Sequence, residues 1–220
     1  MKKLPTTGLG IIAIFILFSI LVAKNIFVSM DFDSIVILQD KLGNSPIAFF
    51  SLFSLLGTVE VSGVILLIVL FLFLKKGRLI GIFLFGVTGI IELLGKYFIN
   101  QKGPPIMFLK TEKILNVPSD YIPHEFFSYP SGHSARTVFV SGVLIFAIIV
   151  SKKLSITQKK ILILLTLIFD LIMLVSRVYL GEHWATDVIG GTLLGGSLVI
   201  MFASFWRIPK IKTWNLFSKN

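Results

Sequence analysis

Reactive side chains are most concentrated in residues 176–187, which read SRVYLGEHWATD. His183 and Asp187 are four residues apart at the predicted start of the last apolar helix, and residues at this spacing share one helix face. The Asp187 carboxylate can therefore accept a hydrogen bond from one imidazole nitrogen and leave the other free to attack. The planar guanidinium of Arg177 suits phosphoryl oxygens. In the alternative interpretation, His183 caps the membrane interface and Arg177 only extends its charge towards water.

A second cluster occupies residues 129–136, which read YPSGHSAR. A loop ends at Ser131 and a predicted helix begins at Gly132, where free backbone N–H groups favour an anion and the missing side chain permits close approach. His133, in the first turn, is suited to protonate an oxygen leaving group. Taken alone, these residues are better explained by a helix cap followed by a surface histidine. Arg136 lies three residues further on and is a candidate to line the same site.

A third cluster, residues 96–105, reads KYFINQKGPP. Lys96 ends a predicted helix with Glu92 one turn deeper, so two arrangements are open. The pair neutralises itself at i, i+4, or Lys96 faces the site and contacts phosphate. Lys102 lies in the loop just beyond, and residues 103–105 form a rigid exit from the helix.

Together the three clusters resemble the signature motifs of the type 2 phosphatidic acid phosphatase superfamily, which includes bacterial phosphatidylglycerophosphate and undecaprenyl diphosphate phosphatases. The family motifs read K-x6-R-P, P-S-G-H and S-R-x5-H-x3-D. The second and third motifs are matched in full by Pro130, Ser131, Gly132, His133, Ser176, Arg177, His183 and Asp187. The resemblance covers about residues 90–200.

The first motif is matched only in part. Lys96 and Pro104 are in place, but Gly103 stands where the family has an arginine that binds phosphate. The adjacent Lys102 offers a charge, although as a point donor and not as a planar fork. Two functions therefore stay open: an active lipid phosphatase, or a catalytically impaired relative that binds or carries lipid phosphates.

The resemblance implies a role for each matched residue. His183 would form a phosphohistidine, Asp187 would orient and support it, and His133 would protonate the leaving oxygen. The phosphoryl oxygens would be held by Lys96, Ser131, the Gly132 amide and Arg177, with Lys102 as a further candidate. No metal or cofactor is expected, because these donors already supply the positive field that phosphoryl transfer requires.

The composition indicates that a membrane surrounds this site. Of the 220 residues, 55% are apolar and only 15% are charged, and the mean hydropathy is +0.92. A soluble domain carries about 25% charged residues. The net charge of +10 does not indicate nucleic-acid binding, because the Lys and Arg residues lie between long apolar runs and form no continuous basic face.

Six apolar segments predict an all-α bundle of six transmembrane helices, forming a single domain over residues 1–220. Their approximate bounds are 8–28, 50–74, 79–99, 132–150, 160–180 and 184–206. Residues 46–56 are predicted as a separate interfacial or half-inserted helix. Three acidic residues fall within apolar spans, where they serve in local pairing or in a proton relay; they are Glu60, Glu92 and Asp170.

The basic residues predict the orientation. If the N-terminus is cytoplasmic, more than half of the 21 Lys and Arg residues fall on the cytoplasmic side, which the positive-inside rule favours. Both termini are then cytoplasmic, and His124, His133 and His183 face the extracytoplasmic side. We therefore expect a multi-pass protein of the cell membrane whose first segment is a retained anchor. Its expected partners are the bilayer and a lipid phosphate substrate, with no preference for an oligomeric state.

Overall fold

A computed structural model describes residues 3–110 and 127–205, and all regular structure within these residues is helical. His124 lies outside the described residues. The α-helices are α1 Lys3–Ala23, α2 Val28–Leu42, α3 Ile47–Leu56, α4 Val59–Phe73, α5 Arg78–Phe98, α6 Gly132–Val150, α7 Ile156–Tyr179 and α8 Ala185–Phe205.

Four of these helices, α5 to α8, are each long and apolar enough to cross a membrane. Two further pairs qualify only as bent units, α1 with α2 at 92° and α3 with α4 at 55°, which gives up to six spans in the described residues. The last four predicted segments match α5 to α8 within a few residues. The count of six stays a prediction.

The predicted C-terminal bound of the first segment, 8–28, was wrong. Helix α1 stops at Ala23, and after a short turn the chain runs almost perpendicular to it as α2. The sequence analysis did not predict α2, because acidic residues interrupt its apolar residues at Asp31, Asp33 and Asp40. Such a helix lacks the continuous apolar run that indicates a span.

The second predicted segment is divided at Gly57 and Thr58. Thr58 caps α4, because its hydroxyl accepts a hydrogen bond from the Val61 N–H at 3.4 Å. The expectation that residues 46–56 form a separate helix is confirmed by α3. Two of the acidic residues within apolar spans are paired locally: Asp170 accepts a hydrogen bond from the Ser141 hydroxyl at 2.5 Å, and Glu92 binds two basic side chains described below.

Helices α6 and α8 form the most extensive helix pair. They approach closely because Gly191 and Gly195 lie on the face of α8 that meets α6. A Cβ on Gly195 would overlap the carbonyl oxygen of Ala135 and lie 3.1 Å from the Val138 Cβ. Glycines that allow such backbone contact are a common way to pack helices in a membrane.

Replacing Gly195 by alanine is therefore expected to lower the melting temperature of the purified protein. The added methyl group forces the two helices apart, and overpacking of this kind costs about 1–3 kcal/mol. Gly196→Ala is the matched control, because no atom lies within 4 Å of a Cβ there and alanine favours a helix. Equal melting temperatures for the two variants would contradict the close approach of α6 and α8.

One end of the bundle collects four helix termini, namely the C-terminal ends of α5 and α7 and the N-terminal ends of α6 and α8. The Ser131 N–H donates to the carbonyl oxygen of Asp187 at 3.0 Å, which ties the start of α6 to the start of α8. At the end of α5, a Cβ on Gly95 would overlap Pro130. The three sequence clusters therefore meet at this end.

Candidate active site

His183 lies in the short connection between α7 and α8, not within the helix as the sequence analysis expected. Helix α8 begins two residues later, at Ala185. The predicted contact is nevertheless made, because His183 Nδ1 lies 3.4 Å from Asp187 Oδ2. The same carboxylate oxygen accepts the Trp184 N–H at 2.9 Å. Asp187 thus caps its own helix and reaches back to the imidazole.

The His183 imidazole is neutral near neutral pH. Burial, reinforced by the positive charges of Arg177 and Lys96, lowers the pKa of His183 to about 3. Its contact with Asp187 is therefore a hydrogen bond and not an ion pair, and Asp187 Oδ2, which also accepts the Trp184 N–H, is placed to accept from Nδ1–H. About 12% of the His183 side-chain surface is exposed, so one edge of the ring is accessible. A neutral ring with Nδ1 engaged presents Nε2 as a free lone pair.

Arg177 is held beside His183 from two directions. The residue is 1% exposed, and its guanidinium donates to the Ser54 hydroxyl of α3 through Nη1. Through Nη2 it pairs with Glu182, the residue that precedes His183. The sequence analysis identified Arg177 but predicted neither partner. The sequence does contain a signal for Glu182, because this residue directly precedes His183 and is the acidic residue nearest in sequence to Arg177.

His133 lies in the first turn of α6 and is half-buried. Its ring packs against the bend between α3 and α4, where a Cβ on Gly57 would lie 3.1 Å from His133 Cδ2. It is close enough to Arg177 and His183 to interact with both electrostatically. The structure therefore brings together the two histidines that the sequence predicted as a nucleophile and an acid.

Glu92 lies between two basic side chains at the start of α6. Lys96 Nζ is 2.9 Å from Glu92 Oε1, and Arg136 Nη1 is 2.6 Å from Glu92 Oε2. The carboxylate also lies directly against Gly132, since a Cβ there would overlap both carboxylate oxygens. Of the two arrangements left open for Lys96, the structure shows the pair with Glu92, in which Arg136 is a third member.

Two of the predicted substrate ligands, Ser131 and Lys102, have other contacts in the structure. Ser131 is fully buried, and its hydroxyl caps α6 by accepting the Ser134 N–H at 3.4 Å and the Ser134 hydroxyl at 3.0 Å. Lys102 has an exposed side chain, and its carbonyl oxygen accepts the indole N–H of Trp184 at 2.7 Å. Lys102 is thus anchored beside the start of α8 by its backbone. Phosphate binding by either side chain stays a prediction.

Asp31 of α2 caps α8 from a distant part of the chain. Its carboxylate accepts the Thr186 N–H at 2.9 Å and the Thr186 hydroxyl at 2.7 Å. Gln101 completes the cluster by donating to both residues, at 3.3 Å to Asp31 and 3.0 Å to Thr186. These bonds fix α2 to the residue next to Asp187. Sequence reasoning missed this buried network, because no local spacing connects its members.

The arrangement can be compared with known proteins. A protein-family model described as the PAP2 superfamily matches residues 77–210, which is more than half of the chain and includes every motif residue from Lys96 to Asp187. The chain belongs to the PAP2 superfamily. The predicted resemblance is thereby confirmed.

Two curated relatives of this PAP2 chain are named as phosphatases of lipid phosphates. Phosphatidylglycerophosphatase B of Bacillus subtilis is 35% identical over 97 residues, which are 43% of this chain and 48% of the relative. Undecaprenyl-diphosphatase of Sulfolobus acidocaldarius is 34% identical over 149 residues, or 65% of each chain. The matched region thus spans about half to two thirds of the length of these relatives.

Two solved structures share the fold. The crystal structure of a transmembrane PAP2-type phosphatidylglycerolphosphate phosphatase from Bacillus subtilis has a TM-score of 0.69, at 22% identity over 90% of this chain and 94% of that one. Aquifex aeolicus LpxE has a TM-score of 0.60, at 23% identity over 80% of this chain and 95% of that one. The fold of this PAP2 chain is therefore shared with both.

This PAP2 chain departs from the family pattern at Gly103. The position lies next to Ser128, whose Cβ would be 3.7 Å from a Cβ added at Gly103. A side chain is therefore sterically possible there. Gly103 itself supplies no charge. Among the described residues, the buried or half-buried basic groups near the two histidines are Lys96, Arg136 and Arg177.

Proposed function

We propose that this PAP2 chain hydrolyses a phosphate monoester or diphosphate of a membrane lipid through a phosphohistidine on His183. The observation that carries the proposal is the neutral His183 ring, hydrogen-bonded to Asp187 through Nδ1 and placed beside the buried guanidinium of Arg177. A free imidazole nitrogen next to a phosphoryl-binding group is the arrangement that nucleophilic phosphoryl transfer requires.

In the first step, Nε2 of His183 attacks phosphorus and the bond to the lipid oxygen breaks. The attacked imidazole becomes cationic, and the Asp187 carboxylate stabilises this charge through Nδ1–H. The negative charge of the bound phosphoryl group favours the protonated form of His133, which gives its proton to the leaving oxygen. In the second step, water attacks the phosphohistidine, the phosphorus–nitrogen bond breaks, and His133 takes up the proton that water releases. Both histidines return to their starting states.

The phosphoryl oxygens gain negative charge as the bond breaks, so fixed positive groups accelerate the step. Arg177 and Lys96 supply such groups, and the backbone N–H groups at the start of α6 add the partial positive charge of a helix N-terminus. These donors provide the field without a divalent cation. We therefore propose a metal-independent hydrolase.

The substrate is proposed from the names of the relatives and from the surroundings of the site. One relative is named for phosphatidylglycerophosphate and the other for undecaprenyl diphosphate, and both substrates present a phosphoryl group at headgroup depth. Phosphatidic acid presents the same group. We place the site on the extracytoplasmic side of the cell membrane, with both termini in the cytoplasm, because the distribution of Lys and Arg supports that orientation.

The test is phosphate release by the purified protein in detergent, from a panel of these three lipids, with and without EDTA. We expect release from at least one lipid and the same rate in both conditions. Loss of release in EDTA would overturn the metal-independent mechanism. Absence of release from all three lipids, by a protein that unfolds cooperatively on heating, would overturn the proposed hydrolase.

A second function has one specific observation in its favour. Gly103 removes the arginine of the first motif, and a site short of one cation is expected to bind lipid phosphates more readily than it cleaves them. In that case the protein binds the lipid panel without releasing phosphate, and Gly103→Arg confers hydrolysis. The release assay decides between this function and the proposed hydrolase.

A further inference from the structure

The Glu92 carboxylate lies where a bound anion is expected. Lys96 and the start of α6 at Gly132 are two groups to which the family resemblance assigns phosphoryl oxygens. The carboxylate is 2.9 Å from Lys96 Nζ and lies directly against Gly132. The two oxygens of this carboxylate thus lie beside a lysine and a helix N-terminus, two groups that both favour an anion.

Arg136 binds the other side of this carboxylate. Its Nη1 is 2.6 Å from Glu92 Oε2, its Nε donates to the Gly57 carbonyl oxygen at 3.4 Å, and its side chain is only 10% exposed. The guanidinium is therefore fixed in place between α6 and the bend that packs on His133. An anion that replaced the Glu92 carboxylate would meet a planar donor already oriented towards it.

Gly103 stands where the family motif has a phosphate-binding arginine, and a guanidinium from elsewhere in the chain could take over that role. Gly103 supplies no charge, and Lys102 carries its side chain at the surface. Arg136 provides a guanidinium, from helix α6, at the position that the Glu92 carboxylate occupies. We propose that Arg136 binds the phosphoryl group of the substrate in place of the motif arginine, and that Glu92 is a resident counterion which the phosphoryl group displaces. The inference rests on the proposed function, since it assigns a ligand of the same site.

The charges of the site favour this exchange. Within the ion pairs of the described residues, three cations, Lys96, Arg136 and Arg177, share two carboxylates, those of Glu92 and Glu182. The Asp187 carboxylate contacts His183 instead. A phosphoryl dianion brings more charge and more acceptor oxygens than one carboxylate does, and bonds from Arg to phosphate are among the strongest that side chains make. The resident carboxylate meanwhile keeps Lys96 and Arg136 paired when no substrate is bound, which limits the cost of burying them.

The experiment measures binding of inorganic phosphate to the full chain in detergent by calorimetry. Melting without phosphate checks that each variant folds. Arg136→Gln is expected to weaken binding about tenfold to a hundredfold, the usual effect of losing a charge-assisted hydrogen bond. Glu92→Gln removes the competing charge and is expected to tighten binding about tenfold. Arg78→Gln is the matched control, because Arg78 stacks on Phe71 at the opposite end of α5 and binding should not change.

A rescue experiment separates replacement of the motif arginine from a merely structural role of Arg136. Gly103→Arg alone is expected to change phosphate binding by less than about threefold, because the position it restores is already served. In the Arg136→Gln background the same substitution should recover most of the lost affinity. Such non-additivity is expected only when two side chains serve one ligand.

Three results would overturn the inference: unchanged phosphate affinity in Arg136→Gln, unchanged affinity in Glu92→Gln, or no rescue by Gly103→Arg. If Glu92→Gln does not fold, Glu92→Asp withdraws the carboxylate by one methylene group and should tighten binding in the same direction. The binding assay requires no turnover. Failure of the proposed hydrolase therefore appears as absent release from lipids, whereas failure of this inference appears as phosphate binding that does not depend on Arg136.

Discussion

Replacing His183 by alanine is expected to reduce phosphate release from the lipid substrate by at least about four orders of magnitude, because removal of a covalent nucleophile leaves only the electrostatic part of catalysis. No second imidazole among the described residues has the same contacts. His133 packs on the bend at Gly57, whereas only His183 is hydrogen-bonded to Asp187 beside Arg177. The measurement is initial-rate phosphate release from the lipid that the wild-type protein accepts.

The control for this variant is a second histidine substitution. His124 belongs to none of the three motifs, and His124→Ala is expected to retain the wild-type rate. Thermal melting of the His183→Ala protein, measured beside the wild type, checks that the variant folds. A His183→Ala protein that folds and still releases phosphate at a rate near that of the wild type would contradict the assigned nucleophile.

The same variant tests the covalent intermediate. Rapid acid-free quenching with labelled substrate should trap a phosphorylated protein whose label is stable in base and lost in acid, as a phosphorus–nitrogen bond requires. The label should be absent from His183→Ala. The labelled protein should accumulate in any variant in which only hydrolysis of the phosphohistidine by water is slowed. A label stable in acid and lost in base would indicate a phosphorylated serine or threonine and would contradict the phosphohistidine.

Local spacing explains why the central part of the site was predictable. His183 and Asp187 are four residues apart across the start of α8, and their contact needs no information from the rest of the fold. Gly132 follows a loop and begins a helix in the same way. The apolar runs that became α5 to α8 were predictable for a similar reason, because a span is a property of about 20 consecutive residues.

The partners of these residues were not predictable, because they come from distant parts of the chain. Ser54, which binds Arg177, is 123 residues away from it, and Asp31, which binds Thr186, is 155 residues away. Such pairs are set by packing of whole helices, and a single sequence carries no periodic signal for them. Helix α2, which carries Asp31, was itself missed because it lacks a continuous apolar run.

The second large effect is expected at Asp187. Asp187→Asn should lower kcat by about a hundredfold to ten-thousandfold and leave KM nearly unchanged, as loss of the orienting carboxylate does in related nucleophile–histidine systems. The cause is electrostatic. Attack through Nε2 makes the His183 ring cationic, and a neutral amide cannot stabilise that charge as the ionised carboxylate does. KM is spared because Asp187 contacts the ring and not the phosphoryl group.

A comparison of two substitutions separates this chemical role from a structural one. Asp187 is fully buried and accepts the Trp184 N–H at the start of α8, so its removal also removes a helix cap. The Asp187→Asn variant retains an oxygen for that N–H and should melt near the wild-type temperature, whereas Asp187→Ala should lose about 1 kcal/mol of stability as well. Both should lose the same large fraction of kcat. If Asp187→Asn kept kcat within about threefold of wild type, the carboxylate would be only a cap, and His183 would act without an orienting partner.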